Sequence, residues 1–274
     1  MRRVAAAALT LAMTLLSQPS AARTICTVIA RPDTGAALLA EGTCDVRATP
    51  ASTFKVALAV MAYDAGILTD AHSPAWPYRA GYVDWSGAAW RQPTDPAGWM
   101  KHSVVWYSQQ IAIRLGAEGL ARYGRAFSYG NADFSGDPGQ DNGLERSWIA
   151  SSLQISPDEQ VAFLARLVSR TLPVSAQAMD KAASLLEQRA LPDGWMLHGK
   201  TGGAYPRRAD GSFDRTRGWG WFVGWAERDG RRVVFARLDQ DESAGKGSPG
   251  PRTRDAFIAD WSRLAGSIGA PAND

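Results

Sequence analysis

The chain has 274 residues, 45% apolar and 21% charged, with a formal net charge of +3. These totals suit one large globular domain with a sizeable core and exclude a disordered chain. The arginines are scattered, with small clusters at Arg207-Arg208 and Arg231-Arg232, and they form no basic stripe for nucleic acid.

Residues 1–22 read as a secretory leader. Arg2 and Arg3 precede an apolar stretch, residues 4–16, that is too short to span a bilayer, and Ser20 and Ala22 are placed for cleavage after Ala22. No later segment reads as a membrane span. The expected product is a secreted or periplasmic protein of residues 23–274, close to neutral once Arg2 and Arg3 are removed, with no membrane attachment. Export favours oxidation, so Cys26 and Cys44 are expected to form a disulfide. Two cysteines and His72, His102 and His198, with no HExxH or CxxC spacing, offer no metal motif.

Two β-rich runs flank Pro32-Asp33-Thr34-Gly35, which predicts a hairpin. An apolar helix is predicted over residues 53–64. Residues 73–100, rich in Pro, Gly and Trp, read as a long structured loop. Helices are predicted for "SVVWYSQQIAIRLG" from Ser103 and for "AEGLARYGRAF", and residues 129–146 as a Gly- and Asp-rich loop. Ser156-Pro157-Asp158-Glu159 combines a cap, a first-turn proline and a capping-box glutamate, and predicts a helix to about Arg170. "SAQAMDKAASLLEQ" predicts another from Ser175. Three strands follow: "GWMLHGKTGGAY", "RGWGWFVGWAER" and "RRVVFARLDQ", with Asp229-Gly230 as the turn between the last two. Trp219, Trp221 and Trp225 share one strand face, which assigns them to packing. "DESAGKGSPGP" from Asp241 reads as a mobile loop and "TRDAFIADWSRLAG" as a final amphipathic helix. The expected fold is α/β (α+β): a central antiparallel sheet built from residues 23–51 and 188–274, flanked by helices, with a helical lobe inserted over residues 52–187.

The chemistry begins at Ser52-Thr53-Phe54-Lys55. A serine hydroxyl is a poor nucleophile near neutral pH and needs a base within reach. Residues three apart on a helix share a face, so Ser52 and Lys55 meet if the helix starts near Ser52. A lysine in apolar surroundings loses its proton more readily, and Phe54, Val56, Ala57 and Leu58 supply such surroundings. The same spacing recurs at Ser243–Lys246 in a Gly/Pro-rich loop with no apolar helix behind it, which reads as coincidence. Ser103 either caps the helix it opens or faces a cleft. Lys200-Thr201-Gly202, followed by Gly203, is either an ordinary edge strand or a cation, a hydroxyl and a backbone edge that a substrate can approach closely. The backbone N–H groups of Ser52 and Gly203 are candidates for an oxyanion hole. His102 and His198 read as structural, and Glu145 as a solvated loop charge.

Ser52-Thr53-Phe54-Lys55, Ser103-Val104-Val105, Tyr129-Gly130-Asn131 and Lys200-Thr201-Gly202 stand in the order and rough spacing of the class D, oxacillinase-type serine β-lactamases. "GWGWFVGW" from Gly218 and Trp148 before Ser156 resemble the same family, and the resemblance covers nearly all of residues 23–274. Class A enzymes, by contrast, carry S-D-N and a loop glutamate. The resemblance implies the penicillin-recognising serine transferase/β-lactamase fold and hydrolysis of a β-lactam substrate through an acyl-enzyme on Ser52. It implies no cofactor beyond CO2, taken up as N-carboxylation of Lys55, with Trp148 holding the carbamate and Val105 and Phe54 keeping the pocket dry. Ser103 would pass a proton to the departing lactam nitrogen. Lys200, Thr201, Gly202, Gly203 and an arginine would bind substrate; Arg254 is the expected arginine and Arg252 the near alternative. Tyr129-Gly130-Asn131 reads equally as a plain turn and as a substrate contact. The alternative function is a β-lactam sensor or penicillin-binding module that acylates without turnover, with a peptidoglycan transpeptidase or carboxypeptidase behind it.

Overall fold

Side chains alternate across a strand, and the C-terminal strands carry bulky apolar residues on both sides, as a sheet covered on both faces requires. A computed structural model describes residues 22–268, so the leader read over residues 1–22 lies, apart from Ala22, outside the described residues. There, β1 (Ala22–Ala30), β2 (Ala37–Gly42), β3 (Glu187–Ala190), β4 (Met196–Ala204), β5 (Trp219–Arg228) and β6 (Arg231–Asp241) form one sheet in the order β2-β1-β6-β5-β4-β3. Every pairing is antiparallel. The expected union of the first hairpin with the last strands occurs along β1 and β6, from Ala22 opposite Asp241 to Ala30 opposite Val234.

The alternation sorts the two cores. Trp221, Val223 and Trp225 of β5 face the larger one, with Val28, Val234 and Leu238. Phe222 and Ala226 face the smaller one, with Phe235 and the residues Phe257, Trp261 and Leu264 of the terminal helices. Trp221 and Trp225 are therefore packing residues, as their spacing predicts. Cys26 and Cys44 are disulfide-bonded, joining β1 to the chain just beyond β2. In the chain-entropy account such a bridge contributes ~3 kcal/mol.

Between β2 and β3 lie α1 (Phe54–Asp64), α2 (Pro96–His102), α3 (Val105–Phe127), α4 (Gly143–Arg146), α5 (Pro157–Val168) and α6 (Ala176–Ser184). Residues 54–63 of α1 are all buried, Lys55 among them. A helix apolar all round belongs in a core, and each large side chain buried there contributes roughly 1.5–3 kcal/mol. At α5 the capping box forms as read: Ser156 Oγ accepts from Glu159 N at 3.2 Å, and Ser156 N donates to the Glu159 carboxylate at 2.9 Å. A cap of this kind is worth ~1 kcal/mol. No helix among the described residues is long and apolar enough to cross a membrane.

Besides α4, a single turn of helix inside the loop read over residues 129–146, four elements differ from the sequence reading. Within residues 73–100, Asp95 caps an additional helix, α2, its carboxylate accepting from Gly98 N at 2.7 Å with Pro96 in the first turn. Ser103 ends that helix in a left-handed conformation (φ 56°) and does not open the next one, which begins at Val105. The helix predicted to reach Gln188 stops at Ser184, and Glu187 and Gln188 join β3, because pairing with Gly199 and His198 of β4 outweighs their helix preference. The single terminal helix is two, α7 (Pro249–Ala259) and α8 (Trp261–Ser267), joined at Asp260.

Candidate active site

Ser52 sits in a single 3-10 turn, Ala51–Thr53, that leads directly into α1. Ala51 holds φ 50° in a buried position, a conformation costly for a residue with a Cβ. Surrounding hydrogen bonds fix the turn. Thr53 Oγ1 donates to Pro50 O at 2.7 Å and accepts from Gln160 Nε2 at 2.9 Å. Trp221 Nε1 donates to Thr49 O at 2.9 Å. Thr49 Oγ1 donates to Trp148 O at 2.9 Å and accepts from Ala150 N at 3.0 Å, so the Trp148 segment is tied to the strand of chain that carries Ser52.

The Ser52–Lys55 spacing performs as helical geometry demands: Lys55 Nζ lies 3.3 Å from Ser52 Oγ. Lys55 is 1% exposed, and among the described residues no carboxylate pairs with it. Burial, and behind it the charge of Lys200, pushes its ammonium well below the usual lysine range and favours the uncharged amine. Its chain neighbour Phe54 packs against Trp148 with ring centroids 5.4 Å apart, and against Tyr129 at 5.6 Å.

Opposite stand Ser103 and β4. Lys200 Nζ donates to Ser103 Oγ at 3.1 Å and to Thr201 O at 3.1 Å, bridging the two walls. Burial lowers Lys200 to about 8, opposed by the Glu187 carboxylate and reinforced by Arg254. Because β3 pairs only with residues 196–199 of β4, the edge from Lys200 onward is free of a strand partner. There the 3-10 turn takes its place: a Cβ on Gly202 would lie 2.8 Å from Pro50 O and 3.1 Å from Thr53 N. Only glycine lets the strand lie this close to the nucleophile's turn. The tryptophans brace the Ser103 segment. Trp90 Nε1 donates to His102 O, and Trp106 Nε1 to Trp90 O, each at 2.9 Å.

These walls enclose a cleft of about 1110 Å³ lined by Ser52, Ser103, Val105, Thr201 and Gly203. Lys55, Trp148 and Lys200 are buried and do not line the cleft, and Gly202 packs the strand against the turn. Arg254 is not brought to the lining: its guanidinium engages Asp255 at 2.9 Å and Glu187 at 3.4 Å. Arg252 is also spent elsewhere, donating to Lys246 O, Gly247 O and Asp241, where it holds the preceding loop. The helical register of α7 decides this, and loop composition does not encode it. Tyr129-Gly130-Asn131 does not line the cleft. Tyr129 is buried against Phe54 and Phe163, and Asn131 accepts from Gln154 N and Asp133 N, bracing a turn. His198 stacks on Trp225 at 4.9 Å, as a structural residue would. His102, read as structural, lines the cleft, and so do Arg146 and Arg215, which no motif marks.

A serine beside a buried, unpaired lysine, faced by a serine–lysine pair and an open strand edge, defines the class of penicillin-recognising serine enzymes. A family model described as the penicillin binding protein transpeptidase domain matches residues 23–257. Over 242 residues the chain is 42% identical to β-lactamase OXA-9 of Klebsiella pneumoniae, covering 88% of each chain. It is 36% identical over 193 residues to β-lactamase OXA-1 of Escherichia coli, covering 70% of this chain and 66% of the relative. The solved structure of the class D β-lactamase OXA-427 matches with a TM-score of 0.81 at 42% identity, covering 89% of this chain and 99% of the other. The chain belongs to this family, among the class D, oxacillinase-type β-lactamases. The fold is shared more widely: the C-terminal domain of the Bacillus licheniformis BlaR penicillin-receptor matches with a TM-score of 0.72 at 25% identity, over 89% of this chain and 91% of that domain.

Proposed function

We propose that the protein hydrolyses β-lactam antibiotics through an acyl-enzyme on Ser52, acting after export to the periplasm or beyond. The 3.3 Å approach of Ser52 Oγ to a lysine with no carboxylate partner carries this reading. A buried, uncharged amine is the form that reacts with CO2, and the buried apolar side chains of Phe54, Trp148 and Val105 suit the product. Carboxylation of Lys55 would supply an anionic oxygen base beside Ser52 in both half-reactions.

Ser52 Oγ attacks the lactam carbonyl and gives up its proton on the Lys55 side. The backbone N–H groups of Ser52 and Gly203 receive the developing oxyanion. The C–N bond then breaks, and Ser103 Oγ, held by Lys200 Nζ, passes a proton to the departing nitrogen. Water attacks the ester in the second half and frees Ser52. Lys200 and Thr201 receive the carboxylate of the lactam nucleus, with Gly202 allowing the strand to approach. Trp148 holds the Lys55 group in place from its buried position against Phe54.

The test is hydrolysis of a chromogenic β-lactam by residues 23–274 after acid decarboxylation, with and without added bicarbonate. Turnover restored by bicarbonate is expected. Turnover indifferent to bicarbonate would leave a serine hydrolase with another base. A single burst of labelling without turnover would move the protein to the sensing and binding function that its likeness to the BlaR domain represents.

A further inference from the structure

The cleft lining contains Arg146 and Arg215 and not one aspartate or glutamate. Neither arginine donates a hydrogen bond to a protein acceptor among the described residues. Arg146 is half-buried on α4, and its nearest carboxylate is Asp137 at 3.9 Å. That carboxylate is already held by Arg207 at 2.9 Å and by Asn142 at 3.1 Å. Arg215, exposed on the β4–β5 connection, has its guanidinium 5.3 Å from the Tyr205 ring. The two walls are strapped together, since Arg207 of that connection also donates to Ala150 O, at 3.3 Å, two residues beyond Trp148. An exposed aromatic stands at the same mouth: Trp85, 57% exposed, lies 6.0 Å from the Arg146 guanidinium carbon.

Two cations without hydrogen-bonded acceptors beside an apolar platform are suited to an anion on an aromatic or apolar arm. Neither belongs to the Lys200-Thr201-Gly202 run, to which the proposed mechanism assigns the carboxylate common to all penicillin nuclei. We propose that Arg146 and Arg215 form a subsite for an anionic acyl side chain, so that the enzyme favours β-lactams carrying a side-chain carboxylate or sulfonate over those with a neutral or cationic one. This rests on the β-lactamase reading above and names the substrate class within it.

The test uses benzylpenicillin and its derivatives with a carboxylate or an ammonium on the α-carbon of the side chain. Nucleus and ring carboxylate are identical in the three. The kcat/KM ratio of the α-carboxy to the α-amino compound should exceed one in the unmodified chain and shrink with added salt. It should fall about tenfold in the Arg146→Gln/Arg215→Gln double variant. Arg215→Glu should reverse the preference, and this single change on an exposed connection serves if the double variant does not fold. An unchanged ratio in both variants overturns the subsite. So does an equal loss on all three compounds, which would place the arginines on the ring carboxylate. Failure of the unmodified chain to turn over any of the three overturns the hydrolase reading instead, and the same ratio read from acylation rates then decides the subsite.

Discussion

Ser-x-x-Lys occurs twice in this chain, and the two copies share a spacing and little else. At Ser52–Lys55 the serine lies on a 3-10 turn, the lysine is 1% exposed, and the two polar atoms are 3.3 Å apart. At Ser243–Lys246 both residues are exposed in the loop between β6 and α7. An exposed ammonium is solvated and keeps its proton, whereas a buried one sheds it to escape desolvation. Tertiary burial, rather than the motif, sets Lys55 apart from Lys246.

The strongest way to break this contrast is Lys55→Ala. Turnover of a chromogenic β-lactam should fall by roughly 10²–10⁴-fold, the usual worth of a positioned base. Unchanged turnover would rule out the proposed mechanism. Trp148→Ala removes the side chain that the proposed mechanism assigns to holding the Lys55 group and should slow deacylation more than acylation, read as accumulated acyl-enzyme by mass spectrometry. The same change opens a cavity in the core and should lower stability by roughly 3–5 kcal/mol in denaturant unfolding.

The other buried lysine sharpens the contrast through pH. Burial lowers Lys200 to about 8. In the proposed mechanism its charged form attracts the substrate carboxylate, so kcat/KM should be highest below that pH and decline as pH rises through it. A KM that rises across this window while kcat changes less would locate the effect in binding. A flat profile between pH 7 and 9 would remove Lys200 from that role. The smallest effect belongs to the second copy of the motif: Lys246→Ala should leave kcat and KM within about twofold of the unmodified chain, because Lys246 is exposed and, unlike its neighbours Gly245 and Gly247, does not line the cleft.

Much of the fold was legible because local chemistry and global packing agree. The capping box at Ser156–Glu159, the Asp229-Gly230 turn and the shared face of Trp221 and Trp225 all follow from periods and caps. β3 escaped because Glu187 and Gln188 favour a helix in isolation, and only the edge of β4 makes them a strand. α2 carried a signal in Asp95-Pro96 that the Pro/Gly-rich surroundings masked.

At the site the division is the same. The sequence by itself determined the pairing of Ser52 with Lys55, because three residues along a helix fix a distance. It also placed a lysine–threonine–glycine run on a strand, because alternation fixes a face. Only the tertiary structure decided what those groups experience. It brought Ser103 to Lys200 across 97 positions of chain, through a left-handed backbone turn that no residue type announced. It spent Arg252 and Arg254 on neighbouring oxygens and carboxylates, and it delivered Arg146 and Arg215 to the cleft. Local geometry follows from spacing, but burial, charge pairing and access depend on which distant segments pack together.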